Sequence, residues 1–178
     1  MNTLSIFLPT ISLPLAFILH DGEEVLMFRH WMTAHKDSLD EKFPKLKPII
    51  THLSSLTTAA FAIAALEELI ILAIATYYVV TCGDYSIYLW SALFIAFSFH
   101  LLIHICQAIM VRGYVPGLIT SLLLIPYALL VQLFIWHSMD PVIITLCGAA
   151  GIAFMAANLA FAHWIGRFLT KQKTGTKK

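Results

Sequence analysis

Long apolar runs separated by short polar turns dominate the chain. A helix needs about 20 apolar residues to cross a bilayer, and five runs are that long. They cover residues of about 4–28, 53–80, 87–111, 115–136 and 142–165. The pattern predicts an all-α polytopic membrane protein with five transmembrane helices in a single domain over 1–168, followed by a basic cytoplasmic tail at 169–178.

The composition supports this prediction. The 178 residues are 60% hydrophobic and only 12% charged, whereas about 25% of a typical soluble domain is charged. The formal net charge of +1 excludes nucleic acid as a partner, because such proteins carry a strongly basic surface. We therefore expect an integral membrane protein in contact with the lipid bilayer, in the inner membrane of a bacterium. No pattern indicates an oligomeric state.

The basic residues indicate the orientation. With five spans, all 11 lie on one side of the membrane: Arg29, Lys36, Lys42, Lys45, Lys47, Arg112, Arg167, Lys171, Lys173, Lys177 and Lys178. Basic residues concentrate on the cytoplasmic side of membrane proteins, which predicts an outside N-terminus and a cytoplasmic C-terminus. Pro44 and Pro48 predict an irregular loop between the first two spans.

Several polar side chains interrupt the apolar spans. An ionisable group at the centre of a membrane helix costs about 2.5–3.5 kcal/mol on insertion scales, and such groups usually mark function. At 1.5 Å per residue, they fall in a band about 10 Å thick in the cytoplasmic half of the membrane. The polar groups are His20, Glu23, Glu24, Glu67, Glu68, His100, His104, Asn158 and His163.

Helical spacing predicts a metal site within this band. His20 lies three and four residues before Glu23 and Glu24, and His100 lies four before His104, so each group shares a helix face. Imidazole and carboxylate ligands favour a divalent metal ion, with zinc first and iron or manganese as alternatives. We predict His20, Glu24, His100 and His104 as ligands.

The remaining polar groups receive supporting roles. We predict Glu23 as the general base and Glu67 as a second catalytic carboxylate, which could also complete the ligand set. Glu67 is favoured over Glu68 because adjacent helical residues diverge by about 100°. A further group, Glu68, Asn158 and His163, is predicted to lie around the ligands or to join them.

At these positions the chain resembles the HXXEE family of integral membrane proteins, named for the motif that stands here as His20-Asp21-Gly22-Glu23-Glu24. The resemblance extends to a glutamate in the second span, the histidines of the third, and the stretch RGYVPGLIT at 112–120. It implies a membrane protein whose motif takes part in catalysis. It does not supply an activity.

The leading hypothesis is metal-dependent hydrolysis of an amphiphilic or lipid-like substrate that enters from the inner leaflet. Arg112 and Tyr114 are predicted to bind its polar head. The alternatives are a di-iron oxidoreductase acting on lipid, and a transporter of protons or metal ions without enzymatic activity; haem binding is a weaker one. Simple structural roles also remain open, such as an interfacial helix cap at HDGEE and hydrogen bonds between helices at Glu67, His100 and His104.

Overall fold

The computed structural model describes the backbone of residues 3–82 and 86–175, and the side chains of residues 10–81 and 86–170. Every element in this part of the chain is helical, so the all-α prediction is confirmed. A short 3-10 turn at Pro44–Leu46 separates the first two of six α-helices. The helices are α1 (Thr3–Lys42), α2 (Lys47–Ser54), α3 (Thr58–Cys82), α4 (Ser86–Val111), α5 (Leu118–Ser138) and α6 (Pro141–Gly175).

Four of these helices are long and apolar enough to cross a membrane. They contain the segments Thr58–Thr81, Ser86–Val111, Leu118–Ser138 and Pro141–Thr170, which match the last four predicted spans to within about five residues. They are consistent with an integral membrane protein. The first predicted span lies within α1 and is not among the four; the side chains of residues 1–9 lie outside the described part of the chain.

The prediction of a loop directly after residue 28 is wrong, because α1 continues to Lys42. No glycine or proline occurs between Gly22 and Pro44, so nothing in this stretch breaks the helix. An ion pair between Lys36 and Asp40, four residues apart, is typical of an exposed helix face.

The opposite face of this extension carries apolar side chains. Trp31, Met32 and Leu39 are buried in a cluster with Ile50 of α2 and Val115 of the α4–α5 loop. Burial of this apolar face keeps the extension docked on the bundle.

The backbone of α6 is helical through most of the segment predicted as a tail, since the helix ends at Gly175. Residues 83–85 and 176–178 lie outside the described residues.

The first part of α1 packs between the apolar helices along its length. Along the direction of α1, its side chains contact α5 first, then α4 and then α3. This order is expected if α4 runs parallel to α1 and if α3 and α5 run antiparallel to it. The contacts are Ser12 Oγ with Tyr127 Oη of α5 at 2.9 Å, the rings of Phe17 and Phe97 of α4 at 6.4 Å, and the rings of Phe28 and Phe61 of α3 at 4.7 Å.

Two glycines allow α6 to approach its neighbours closely. A Cβ at Gly151 would collide with the backbone of Ala92 in α4, and one at Gly166 would collide with Ala60 in α3. Small residues at helix contacts are typical of membrane bundles, where backbone packing replaces the hydrophobic effect. These contacts place α6 against the face of α3 and α4 that carries polar groups.

Candidate metal centre

Four side chains from α1 and α4 converge inside the bundle. His20 and Glu24 lie one turn apart on α1, and His100 and His104 lie one turn apart on α4. Because the two helices run parallel, both pairs face each other at the same level. One ligand atom from each of the four residues lies within 4.8 Å of all the others, so the cluster could bind a metal ion.

The distances within the cluster suit such an ion. His104 Nε2 lies 3.0 Å from His100 Nε2 and 3.2 Å from Glu24 Oε1, while His100 Nε2 lies 3.8 Å from Glu24 Oε2. Tetrahedral zinc with bonds of about 2.0–2.1 Å separates neighbouring ligand atoms by about 3.3 Å. Small side-chain rotations would therefore bring these atoms onto one ion.

The site is shielded from water. The ring of His20 is fully buried, and its centroid lies 5.1 Å from that of His100 and 4.9 Å from that of His104. The ring of Phe97 meets His20 edge to face at 5.9 Å, and Leu101 is also fully buried. Charges and dipoles interact strongly in such an environment because the effective dielectric constant is low.

Thr120, at the start of α5, fixes the orientation of His20. Its Oγ1 lies 2.7 Å from Glu23 Oε2 and 3.0 Å from His20 Nδ1. The carboxylate accepts the single hydroxyl proton, so His20 Nδ1 must donate its own proton to Thr120. The lone pair of His20 is then on Nε2.

His20 Nε2 is buried, and no hydrogen-bond partner for it exists among the described residues. Buried polar atoms nearly always have a partner. A metal-bound histidine commonly holds its other nitrogen through a hydrogen bond of the kind made by Thr120. The arrangement around His20 therefore fits a metal ligand.

Glu23 has partners outside the four-residue cluster. Its Oε1 accepts hydrogen bonds from Tyr114 Oη at 2.8 Å and from the amide of Ile119 at 3.4 Å. Its Oε2 accepts from the hydroxyl of Thr120 and from the Thr120 amide at 2.8 Å. The carboxylate thus caps the first turn of α5, where the helix dipole favours a negative charge.

Tyr114 lies in the loop before α5. Burial, together with the hydrogen bond to Glu23, raises the pKa of the Tyr114 hydroxyl above its ordinary value. The hydroxyl therefore stays protonated at neutral pH and donates to Glu23. The indole of Trp31 also donates to the Tyr114 carbonyl, at 2.8 Å, which attaches the loop to α1.

The two adjacent glutamates of α3 have different surroundings. Glu67 Oε2 accepts a hydrogen bond from Asn158 Nδ2 of α6 at 3.2 Å. Glu68 lines a cavity together with His100 and interacts electrostatically with His100 and Glu24. The structure therefore places Glu68, rather than the favoured Glu67, on the cavity beside the histidine pair.

Two further predicted residues lie apart from the cluster. His163 is buried against the rings of His52 and Phe61, each 5.9 Å away. Arg112 is exposed and has a left-handed backbone with φ of 62°. Neither is among the four converging residues, and their predicted roles as a ligand and a substrate contact stay predictions.

Sequence reasoning did not single out Thr120, and it interpreted Gly117 only as a glycine that permits close approach in a turn. Gly117 has a φ of 84° and stands behind His104, where an added Cβ would lie 2.8 Å from the imidazole Nδ1. Both residues belong to the stretch RGYVPGLIT noted in the sequence. A glycine directly after a proline is a turn signal, but the sequence could not show which side chain this turn supports.

Residues 11–131 match the sequence model of a family described as proteins of unknown function with an HXXEE motif. The chain belongs to the HXXEE family. The match contains all four converging residues and the Glu23–Thr120 pair. Asn158 and His163 of α6 lie beyond it. No curated protein and no solved structure matches this HXXEE protein.

Proposed function

We propose that this HXXEE protein is an intramembrane metal-dependent enzyme, and that it hydrolyses an amphiphilic or lipid-like substrate. The observation that carries the proposal is the convergence of His20, Glu24, His100 and His104 around one point. The unpartnered His20 Nε2 supports it.

The proposed topology is five spans, with the N-terminus outside and the C-terminus in the cytoplasm. The packing of α1 supports a fifth span, because Ser12, Phe17 and Phe28 contact three different apolar helices in succession. A polar centre inside α1 is acceptable in a membrane when it faces the bundle interior, as His20 and Glu24 do.

Zinc is the proposed metal, with iron or manganese as alternatives. Three imidazoles and one carboxylate are ligands that zinc accepts readily, and the iron and manganese centres of helical bundles also use such groups. When bound, the metal would supply Lewis-acid activation of water at neutral pH, provided that the four side chains leave one coordination position open for that water.

The chain's own residues would have separate roles in this reaction. Thr120 and Glu23 hold His20 in the tautomer that ligates. Because both oxygens of Glu23 already accept two hydrogen bonds each, we assign Glu23 a positioning role instead of the predicted role of base. Glu68 is the better candidate for accepting a proton, since it lines the cavity beside His100.

Transport of protons or metal ions is a second candidate function. Asp21 is buried on α1, and it interacts electrostatically with Glu24 and Glu68. A row of acids across two helices is typical of ion pathways in membranes. Ion flux into liposomes containing the purified protein would support transport, and hydrolysis without flux would support the enzyme.

Elemental analysis of the purified protein tests the metal centre. We expect about one divalent ion per chain in the wild type and a large loss in His104→Ala. His137→Ala is the matched control, because His137 is exposed and its ring contacts the carbonyl of Leu133. Equal metal content in both variants and the wild type would contradict the proposal.

Hydrolysis is tested on the same preparations. A long-chain fluorogenic ester should be cleaved by the wild type and by His137→Ala, and not by His104→Ala or by protein stripped with a chelator. Metal binding without any cleavage of ester or amide amphiphiles would contradict the hydrolase assignment and leave the metal centre intact.

A further inference from the structure

A narrow cavity opens next to the metal centre. It has a volume of about 70 Å³ and lies between α3, α4 and α6, with Phe17 of α1 at its side. A buried water needs about 10–15 Å³ by the same measure, so the space holds about five groups of that size. This fits part of one hydrocarbon chain and excludes a bulky ring system.

The wall of the cavity is almost entirely apolar. Nine of its twelve lining residues are aliphatic, aromatic or methionine side chains, among them Leu93, Ala96 and Met155. The helices α3, α4 and α6 around it are themselves long and apolar. An apolar slot in this position favours a hydrocarbon occupant over a soluble metabolite.

The cavity reaches the surface of the bundle at α6. Phe154 and Leu159 of α6 line it and are 47% and 36% exposed, respectively. Both lie in the apolar segment Pro141–Thr170. A chain could therefore enter sideways from the bilayer without passing through water.

The inner end of the cavity is polar and acidic. It carries Glu68, His100 and Asn158, while Glu24 and Asp21 interact electrostatically with Glu68 nearby. The lining contains no lysine or arginine. Glu68 and Asn158 offer hydrogen-bond partners to a polar group of an occupant.

We propose that this cavity is the binding slot for a single-chain amphiphile. Its chain lies between α3, α4 and α6, and its polar group lies beside Glu68 and His100. This inference rests on the proposed function, since it names the substrate class of the same site.

Photolabelling in nanodiscs tests the slot directly. The probe is a long-chain alcohol with a diazirine in the middle of its chain, and labelled residues are identified by mass spectrometry. We expect labels on Leu93, Phe154 or Met155, and competition by the unmodified alcohol.

Two blocking variants and one control accompany the labelling. Ala96→Phe should fill the slot and Leu159→Trp should close its mouth, so both should lose most of the label. Ala153→Phe is the control, because Ala153 is exposed on α6 and outside the lining. Metal content, measured on each preparation, reports whether the centre beside the slot is intact.

The outcomes separate the slot from the proposed function. Label scattered over the exposed faces, or unchanged in both blocking variants, would overturn the inference even if metal is bound. Specific labelling of a protein that binds no metal would refute the metalloenzyme and leave the slot standing.

Discussion

Gly117 lies directly behind the imidazole of His104: a Cβ at this glycine would stand 2.8 Å from Nδ1 and 3.0 Å from Cε1 of the ring. The turn before α5 thus supports a residue of α4 that faces α1. A side chain other than hydrogen would push the ring out of the cluster. The left-handed φ of 84° at Gly117 adds backbone strain for any other residue.

Gly117→Ala should therefore impair both folding and metal binding. The left-handed conformation alone costs about 1–2 kcal/mol for an L-residue, and displacement of His104 should lower metal content. Gly113→Ala is the matched control, since Gly113 lies in the same loop and a Cβ there meets nothing within 4 Å. Thermal unfolding and elemental analysis check both variants. Identical behaviour of the two would refute the supporting role of Gly117.

Thr120→Val should weaken metal binding without removing a ligand. Valine keeps the shape of threonine but cannot accept the proton of His20 Nδ1, so the tautomer and ring orientation of His20 are no longer fixed. Loss of such an outer partner typically costs about 10–100-fold in metal affinity. Competition titration with a chelating dye measures the change.

Thr120→Ser is the companion variant. It retains the hydroxyl between Glu23 and His20 and should keep an affinity near that of the wild type. If serine and valine weaken binding equally, the effect comes from packing and not from the hydrogen bond.

Apolar run length predicted most of the helices, and helix-breaking residues explain the principal error. The last four spans follow from run length because a bilayer demands about 20 apolar residues. The extension of α1 to Lys42 was missed because charged residues were taken as a loop. Its buried Trp31, Met32 and Leu39 recur at helical spacing, a weaker signal than a continuous apolar run.

The four converging residues were predictable because each pair lies at i,i+4 on its own helix. That spacing fixes a shared face before the tertiary structure is known. The roles of Glu23 and Glu68 could not be predicted from the sequence, because they depend on how α5 and α3 pack against α1. One residue of shift along a helix turns a side chain by about 100°, and the sequence does not specify the rotation of α3.

Arg112→Gly should raise the stability of the protein. Arg112 has φ of 62° just after α4, and the amide of Gly113 bonds to the carbonyl of Ala108 at 3.1 Å, as in a helix-ending Schellman turn. Glycine relieves the left-handed strain, a gain of about 1 kcal/mol. Arg112→Lys keeps both charge and strain and should leave the melting temperature unchanged. A lower melting temperature for the glycine variant would contradict this account of the turn.

The proposed topology predicts the location of the C-terminus. A fluorescent reporter that matures only in the cytoplasm, fused after Lys178, should be active, and a periplasmic reporter at the same position should be inactive. Five spans with all basic residues on the cytoplasmic side require this result. Activity of the periplasmic reporter alone would rule out the orientation, and with it the entry of substrate from the inner leaflet.

Glu24→Gln and Glu23→Gln should have different effects, because the two carboxylates have different partners. Glu24 contacts His100 and His104, and a neutral amide is a poorer ligand. Removal of a residue that only hydrogen-bonds a ligand typically costs about 10–100-fold in metal affinity. Glu24→Gln should lower the affinity by more than that.

Glu23→Gln should chiefly affect stability. The amide of glutamine would turn a donor toward the donors Tyr114, Ile119 and Thr120, and each unsatisfied group costs about 1–3 kcal/mol. If Glu23 were instead the general base, its glutamine variant would keep its melting temperature and its metal and lose about 10²–10⁴-fold in rate. Thermal unfolding, metal content and turnover, measured on one preparation of each variant, separate the positioning role from the catalytic one. A stable, metal-bound, inactive Glu23→Gln protein would restore the assignment made from the sequence.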